Sequence, residues 1–195
     1  MYRAVALAFI KNRAAPSEAA AEALVQDLQI DVRYEAGEQT IYLQGEAVTA
    51  QLRTPEVGAL ASKVSTFAPV RVKLVETQRR IAHQQIREGR GIVLEGRDIG
   101  TVVFPDAEVK VFLVADPIER ARRRQQDLAA SGHYVALDAV KEEMSSRDRR
   151  DQERALSPLR QAPDAHRIDT TQLSVEQQVQ RILDLVKERK DIEDV

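Results

Sequence analysis

A chain of 195 residues, 43% of them hydrophobic, is long enough to bury one sizeable core and short enough to be a single domain with insertions. Its 29 basic and 31 acidic residues leave a formal charge of -2, so no global field draws it to nucleic acid or an anionic membrane, and any anion site is local. The lack of cysteine excludes disulfides, thiolate nucleophiles and cysteine-held metals and suits a reducing, cytoplasmic setting.

The opening MYRAVALAFIKNRAAP reads as a helix already under way, with Val5, Ala8 and Phe9 on one face. Its seven-residue apolar run is at the minimum for a signal peptide and is followed at once by Lys11 and Arg13, so a cytosolic helix is the better reading. No stretch approaches the ~20 apolar residues that span a bilayer. PSEAAAEALVQDL is a second helix, capped by Ser17, with Ala21, Leu24, Val25 and Leu28 at helical spacing. From Asp31 the period changes: DVRY and QTIYL alternate across a Glu-Ala-Gly-Glu turn, and AVTAQLRT follows another glycine-containing turn, which predicts a small antiparallel insert. Thr54 and Pro55 then form a helix start, with Val57, Leu60, Ala61 and Val64 facing the core. Pro69 opens a further helix through Ile81 and Ile86 that ends near Gly89.

GIVLEG and VKVFLVA are short, β-branched and almost continuously apolar, the pattern of parallel strands covered on both faces. In DPIE, Asp116 caps, Pro117 takes the first helical position and Glu119 completes a capping box. HRIDT is another strand, and Ser174 with Gln177 caps a helix carrying Val175, Val179, Ile182, Leu183 and Val186 on one face. The final KERKDIEDV reads as a fraying charged tail. The sum is one compact α/β body, 1–195, with two insertions.

Chemistry concentrates in two places. Arg97 and Asp98 directly follow a predicted buried strand, where ligands of parallel sheets bind; for an isolated Arg-Asp dipeptide a structural ion pair tying the loop down is the favoured alternative. SSRDRRDQERALSPL places Arg147, Asp151 and Arg154 at i, i+4 and i+7, one helix face, with ERARRR at 119–124 nearby in sequence. A solvated, salt-bridged helix has the same pattern, but the cations here are almost all arginine, the residue suited to bidentate grip on phosphate. His83, His133 and His166 lack any metal-ligand spacing, and few aromatics are present to stack bases.

GRDIGTVVFPDAEVKVFL, ERARRR, RDRRDQERALSPL and the initial YRAVAL together resemble bacterial cytidylate kinases, in order and spacing, from Met1 to about Val186. The resemblance implies a P-loop nucleoside-monophosphate-kinase-like parallel sheet with flanking helices, a nucleotide-binding insert at about 30–60 and a helical lid at about 122–155. It implies transfer of the γ-phosphoryl of ATP, with Mg2+, to CMP or dCMP, by a monomer acting on small molecules. Ser62, Arg71 and Asp98 would surround the cytosine, Asp98 accepting from its exocyclic amino group and Arg71 and Ser62 donating to ring acceptors. Asp151 and Arg147 would meet the ribose hydroxyls; Arg3, Arg97 and Arg154 would hold phosphate; the lid arginines, Arg123 and Arg124 among them, would close over the transferring group, with Arg147 and Arg154 the expected catalytic pair. Uracil presents an acceptor where cytosine presents its amino group, which sets UMP as the poorer alternative acceptor.

One departure accompanies the match. The family's G-x-x-x-x-G-K-S/T loop, whose backbone cradles the ATP phosphates, occurs nowhere in these residues. The expectation is that the first, central strand and this loop, roughly 35 to 40 residues, are missing upstream of Met1. The sheet would then lack the strand between 91–95 and 109–115, and a chain that binds CMP without transferring phosphate is the non-catalytic alternative.

Overall fold

A computed structural model describes residues 1–35 and 37–193 and, among these, every side chain except those of Glu35 and residues 190–193. Ala36, in the predicted Glu-Ala-Gly-Glu turn, and residues 194–195 of the predicted tail lie outside the described residues. The chain divides into two compact units, Met1–Leu94 and Glu95–Val195.

The first unit begins with helix α1 (Tyr2–Lys11), in which Ala4, Val5, Ala6, Leu7, Ala8 and Phe9 are all buried. The predicted stripe is therefore wider than one face, and the three alanines let neighbouring helices approach closely. Phe9 is fully buried, so truncation to alanine would cost roughly 3–5 kcal/mol. Helix α2 (Glu18–Gln26) starts as predicted, Ser17 Oγ accepting from the Ala20 N–H at 3.2 Å.

An antiparallel sheet follows, in the order β1 (Ile30–Glu35), β2 (Glu38–Leu43) and β3 (Glu46–Ala47). Ile30 faces Leu43 and Val32 faces Ile41, while Asp31 faces Tyr42 on the opposite, polar side, so alternation in sequence becomes a half-buried ribbon. Gln44 and Gly45, both with φ near 50–80°, make the two-residue turn to β3. The strand expected over AVTAQLRT shrinks to Glu46–Ala47. Val48 and Leu52 are buried four residues apart and joined by a Leu52 N–H to Val48 C=O bond, so the chain winds into a 3-10 turn at Gln51–Arg53.

Helix α3 (Pro55–Val64) is capped by Thr54, whose Oγ1 accepts from the Val57 N–H, and it packs against α1. Helix α4 (Ala68–Arg87) buries Val70, Arg71, Leu74, Thr77 and Ala82. Gly89, at φ 74°, ends it, and Arg90 N–H turns back to the Gln85 carbonyl. Ile86, predicted to face the core, is half exposed.

The run at 91–95 is not a strand. Val93 is 95% exposed and no sheet includes the segment. An apolar run specifies burial, whereas a strand also requires a hydrogen-bonding neighbour, and none flanks this one among the described residues.

In the second unit a π-helical turn at Ile99–Val103 precedes β4 (Val111–Val114), α5 (Pro117–Ala130), α6 (Leu137–Glu153), β5 (His166–Asp169) and α7 (Val175–Glu193). β4 and β5 pair in parallel, Val111 beside His166 through Val114 beside Asp169, so the unit is α/β with a small parallel sheet. The prediction that β4 is covered on both faces fails at Leu113, which is half exposed. Helices α5 and α6 pack through Ala121, Leu128 and Val140, with Leu137 and Met144 at the margin.

Asp116 caps α5 through the Ile118 and Glu119 N–H groups, but Glu119 does not close the box; its carboxylate takes Arg123 instead, and Asp116 N–H donates to Thr171 Oγ1. At α7 the box is complete, Ser174 N–H to Gln177 Oε1 and Gln177 N–H to Ser174 Oγ. The apolar stripe of α7 is exposed at Val175, Val179 and Leu183 rather than buried, and the helix runs on to Glu193 through most of the predicted tail.

Candidate functional site

The residues singled out in the sequence fall into two groups, one in each unit. In the first unit Arg3, on the first turn of α1, donates from Nη1 to the Leu52 carbonyl at 2.7 Å. Its guanidinium lies in a notch made by Gly58 of α3, where a Cβ would stand 3.3 Å from Nη2. Arg71, 3% exposed on α4, donates to the Ser65 carbonyl at 3.1 Å, and its guanidinium carbon lies 5.6 Å from the Tyr2 ring centroid. Ser65 Oγ in turn donates to the Ser62 carbonyl. The Ser62 hydroxyl itself is buried and, among the described residues, has no hydrogen-bond partner. Such an orphan costs about 1–3 kcal/mol unless a water or ligand meets it.

The second unit gathers the larger cluster. Asp98 and Asp151 are 6% and 5% exposed. Asp151 Oδ2 accepts from Arg97 Nε at 3.1 Å, and its Oδ1 lies 3.7 Å from Arg154 Nη1. Arg154 Nη2 lies 3.7 Å from Asp98 Oδ1, so one guanidinium bridges two buried carboxylates. Arg154 is not on the helix as predicted but just past its end; Nε donates to the Ser157 carbonyl at 2.6 Å, turned inward by the left-handed backbone of Ser157 at φ 48°. Burial, and then the neighbouring Arg97, pull the Arg147 guanidinium below its ordinary value; Asp151 and Asp148 partly offset this, and Arg124 adds to it.

Local structure holds this cluster in place. The wide turn after Asp98 points the Val102 and Val103 N–H groups at the Asp98 carbonyl, at 2.9 and 3.2 Å. Lys110 clamps the far side of that loop, its ammonium bonded to the Pro105 carbonyl and to Asp164, with its stem against Gly100.

Arg123 and Arg124, paired in sequence, have different surroundings. Arg123 donates to Glu119, to Thr170 Oγ1 and to the Thr170 and Thr171 carbonyls, so its guanidinium is consumed in tying α5 to the turn after β5. Arg124, by contrast, adds to the neighbouring charges that hold the Arg147 guanidinium below its ordinary value. Asp148, not singled out in the sequence, forms a bidentate pair with Arg120 of α5 at 2.8 and 3.2 Å, a partner 28 residues away on another helix that no local spacing signals.

A cavity of about 730 Å³ opens at the carboxyl ends of β4 and β5, lined by Asp116, Arg167, Asp169, Thr171 and Arg181 among others. Only its position after two parallel strands could have signalled it in advance. Among the described residues no three histidine, aspartate or glutamate side chains are grouped to take a metal ion, and no helix is long and apolar enough to cross a membrane.

The family model for cytidylate kinase matches residues 1–188. A cytidylate kinase of Salinibacter ruber is 46% identical over 187 residues, covering 96% of this chain and 82% of that protein. One from Syntrophotalea carbinolica is 44% identical over 193 residues, covering 98% and 80%, and one from Bacillus licheniformis is 41% identical over 191, covering 97% and 82%. With identity at this level along nearly its whole length, the chain belongs to the cytidylate kinase family.

Proposed function

We propose that the protein is a nucleoside monophosphate kinase that moves the γ-phosphoryl group of ATP to CMP or dCMP. An oxygen of the acceptor phosphate attacks the γ-phosphorus as the bond to the β,γ-bridging oxygen breaks, giving (d)CDP and ADP. The observation that carries this reading is the pairing of buried carboxylates with a surplus of arginine around Asp98, Asp151, Arg97, Arg147 and Arg154 in a member of this family. Arginine alone would serve any phosphate. A buried aspartate held in place by arginine supplies the acceptor that cytosine's amino group requires.

In this reading Asp98 accepts from the exocyclic amino group, and Ser62 and Arg71 donate to ring acceptors, with the orphan Ser62 hydroxyl gaining its partner on binding. Asp151 and Arg147 meet the ribose hydroxyls. Arg3, Arg97 and Arg154 hold phosphate, and Arg147, Arg154 and Arg124 spread charge as the phosphoryl group moves. The cavity at the ends of β4 and β5 is the seat we propose for the donor nucleotide. The open edge of β4, with Leu113 exposed beside it, is suited to take one more strand bearing a phosphate-binding loop. Magnesium is expected with ATP; among the described residues no three acidic or histidine side chains are grouped to hold it, so the nucleotide phosphates and water would supply most of its coordination.

Calorimetric titration with CMP tests the acceptor half alone. Saturable binding that Arg71→Ala weakens by about tenfold or more supports it, as expected for one lost charge-assisted contact. CMP binding indifferent to that substitution removes Arg71 from the reading.

A further inference from the structure

A second cavity, of about 430 Å³, lies within the first unit and involves none of Arg3, Ser62 or Arg71. Its walls come from two elements. Asp31, Arg33 and Tyr42 stand on the polar side of the β1–β2 ribbon, and Lys73, Thr77 and Arg80 recur at i, i+4 and i+7 along α4. Lys73 is two residues from Arg71, about 200° around the helix, so the buried arginine and this cavity occupy opposite faces of α4.

Three cations, Arg33, Lys73 and Arg80, share the cavity with one carboxylate, Asp31. Asp31 is already engaged, accepting from Val32 N–H at 3.0 Å and from Arg33 Nε at 3.4 Å. Among the described residues Arg80 donates to the Ile30 carbonyl through Nη2 alone, at 3.4 Å, which leaves its other donors for a ligand. The Lys73 ammonium has no hydrogen bond or ion pair among the described residues. The Arg33 guanidinium is stacked 4.3 Å above the Tyr42 ring, which fixes its plane before any ligand arrives. Two uncompensated positive charges in a concave site of ligand size, on a protein of net charge -2, form a local anion trap rather than part of a general basic surface.

We propose that this cavity binds the di- or triphosphate group of a small molecule, at a site separate from the acceptor residues. Two guanidiniums offer paired N–H donors to adjacent phosphates, and the ammonium supplies a point charge between them.

The test is calorimetry on the full chain, saturated with CMP, using inorganic pyrophosphate and CTP as separate probes. One-site binding of pyrophosphate, weakened about tenfold or more by Lys73→Ala and further by Lys73→Ala with Arg80→Ala, is the expected result. Equal affinities for the two probes assign recognition to the phosphates; tighter CTP adds a contribution from the nucleoside. Lys73→Ala removes no hydrogen bond or ion pair among the described residues, and a thermal melt matching the parent, measured beside the titration, separates its binding result from a folding effect. No saturable binding of either probe, or affinities unchanged by both variants, overturns the proposal. CMP affinity measured alone should be the same in parent and variants, which separates a failure here from a failure of the acceptor reading.

Discussion

Replacing Asp151 with asparagine removes a charge while keeping the side-chain volume. Two interactions are lost. The first is the 3.1 Å contact with Arg97, whose side chain is 41% exposed; solvent screening holds its worth to about 1 kcal/mol. The second is the 3.7 Å pairing with Arg154, whose side chain is only 6% exposed and keeps Asp98 as its remaining carboxylate. A buried guanidinium that loses one of two counter-charges forfeits about 1–2 kcal/mol, below the 3–5 of a pair broken outright. The loss is therefore about 2–3 kcal/mol, or roughly 5–10 °C in the melting transition of a chain this size. Circular dichroism melts of Asp151→Asn, Arg97→Ala and the double variant measure it, and the double variant should fall short of the sum of the singles because the two residues share one contact. A melting temperature within about 1 °C of the parent would show that the cluster does not depend on this carboxylate and would refute the reasoning.

Gly58→Ala should raise helix stability by up to ~1 kcal/mol yet weaken CMP binding, because the added methyl crowds the Arg3 guanidinium at 3.3 Å; a melt and a CMP titration check the two effects separately. Arg123→Ala should lower the melting temperature, through a loss of about 2 kcal/mol of charge-assisted bonds, with the KM for ATP little changed, whereas Arg124→Ala should alter kinetics more than stability. The Lys110 ammonium holds the Asp164 carboxyl below its ordinary value of 3.8; a depressed folded-state pKa contributes stability above the ordinary value that is lost as pH falls through the lowered one. Asp164→Asn should accordingly flatten the acid limb of a melting-temperature profile, and an unchanged limb would assign the acid sensitivity elsewhere.

Features that depend on near neighbours were legible in the sequence. Thr54 before Pro55, Asp116 before Pro117 and Ser174 with Gln177 all cap helices because a cap needs only three or four consecutive residues. The β1–β2 ribbon was legible because alternation and turn lie within one short segment. Features that depend on distant partners were not. GIVLEG and VKVFLVA both carry apolar runs, yet among the described residues only the second has a neighbour, β5, with which to pair. The wide turn at Ile99–Val103 has no composition of its own, and nothing in ERARRR distinguishes Arg123, spent on the carbonyls of Thr170 and Thr171, from Arg124. The cluster of Arg97, Asp98, Asp151 and Arg154 was foreseen as a set of residues; that Arg154 bridges both aspartates from beyond the end of α6 required the fold.

The central claim is that the protein phosphorylates a cytosine nucleotide and that Asp98 reads the base. Its most direct test is the ratio of kcat/KM for CMP over UMP, with ATP as donor and CDP and ADP both quantified, in the parent and in Asp98→Ala. Equal yields of CDP and ADP, a strong preference for CMP, and collapse of that preference in the variant are the expected results. ATP consumed without CDP formed, or a CMP-to-UMP ratio unchanged by Asp98→Ala, would contradict the claim.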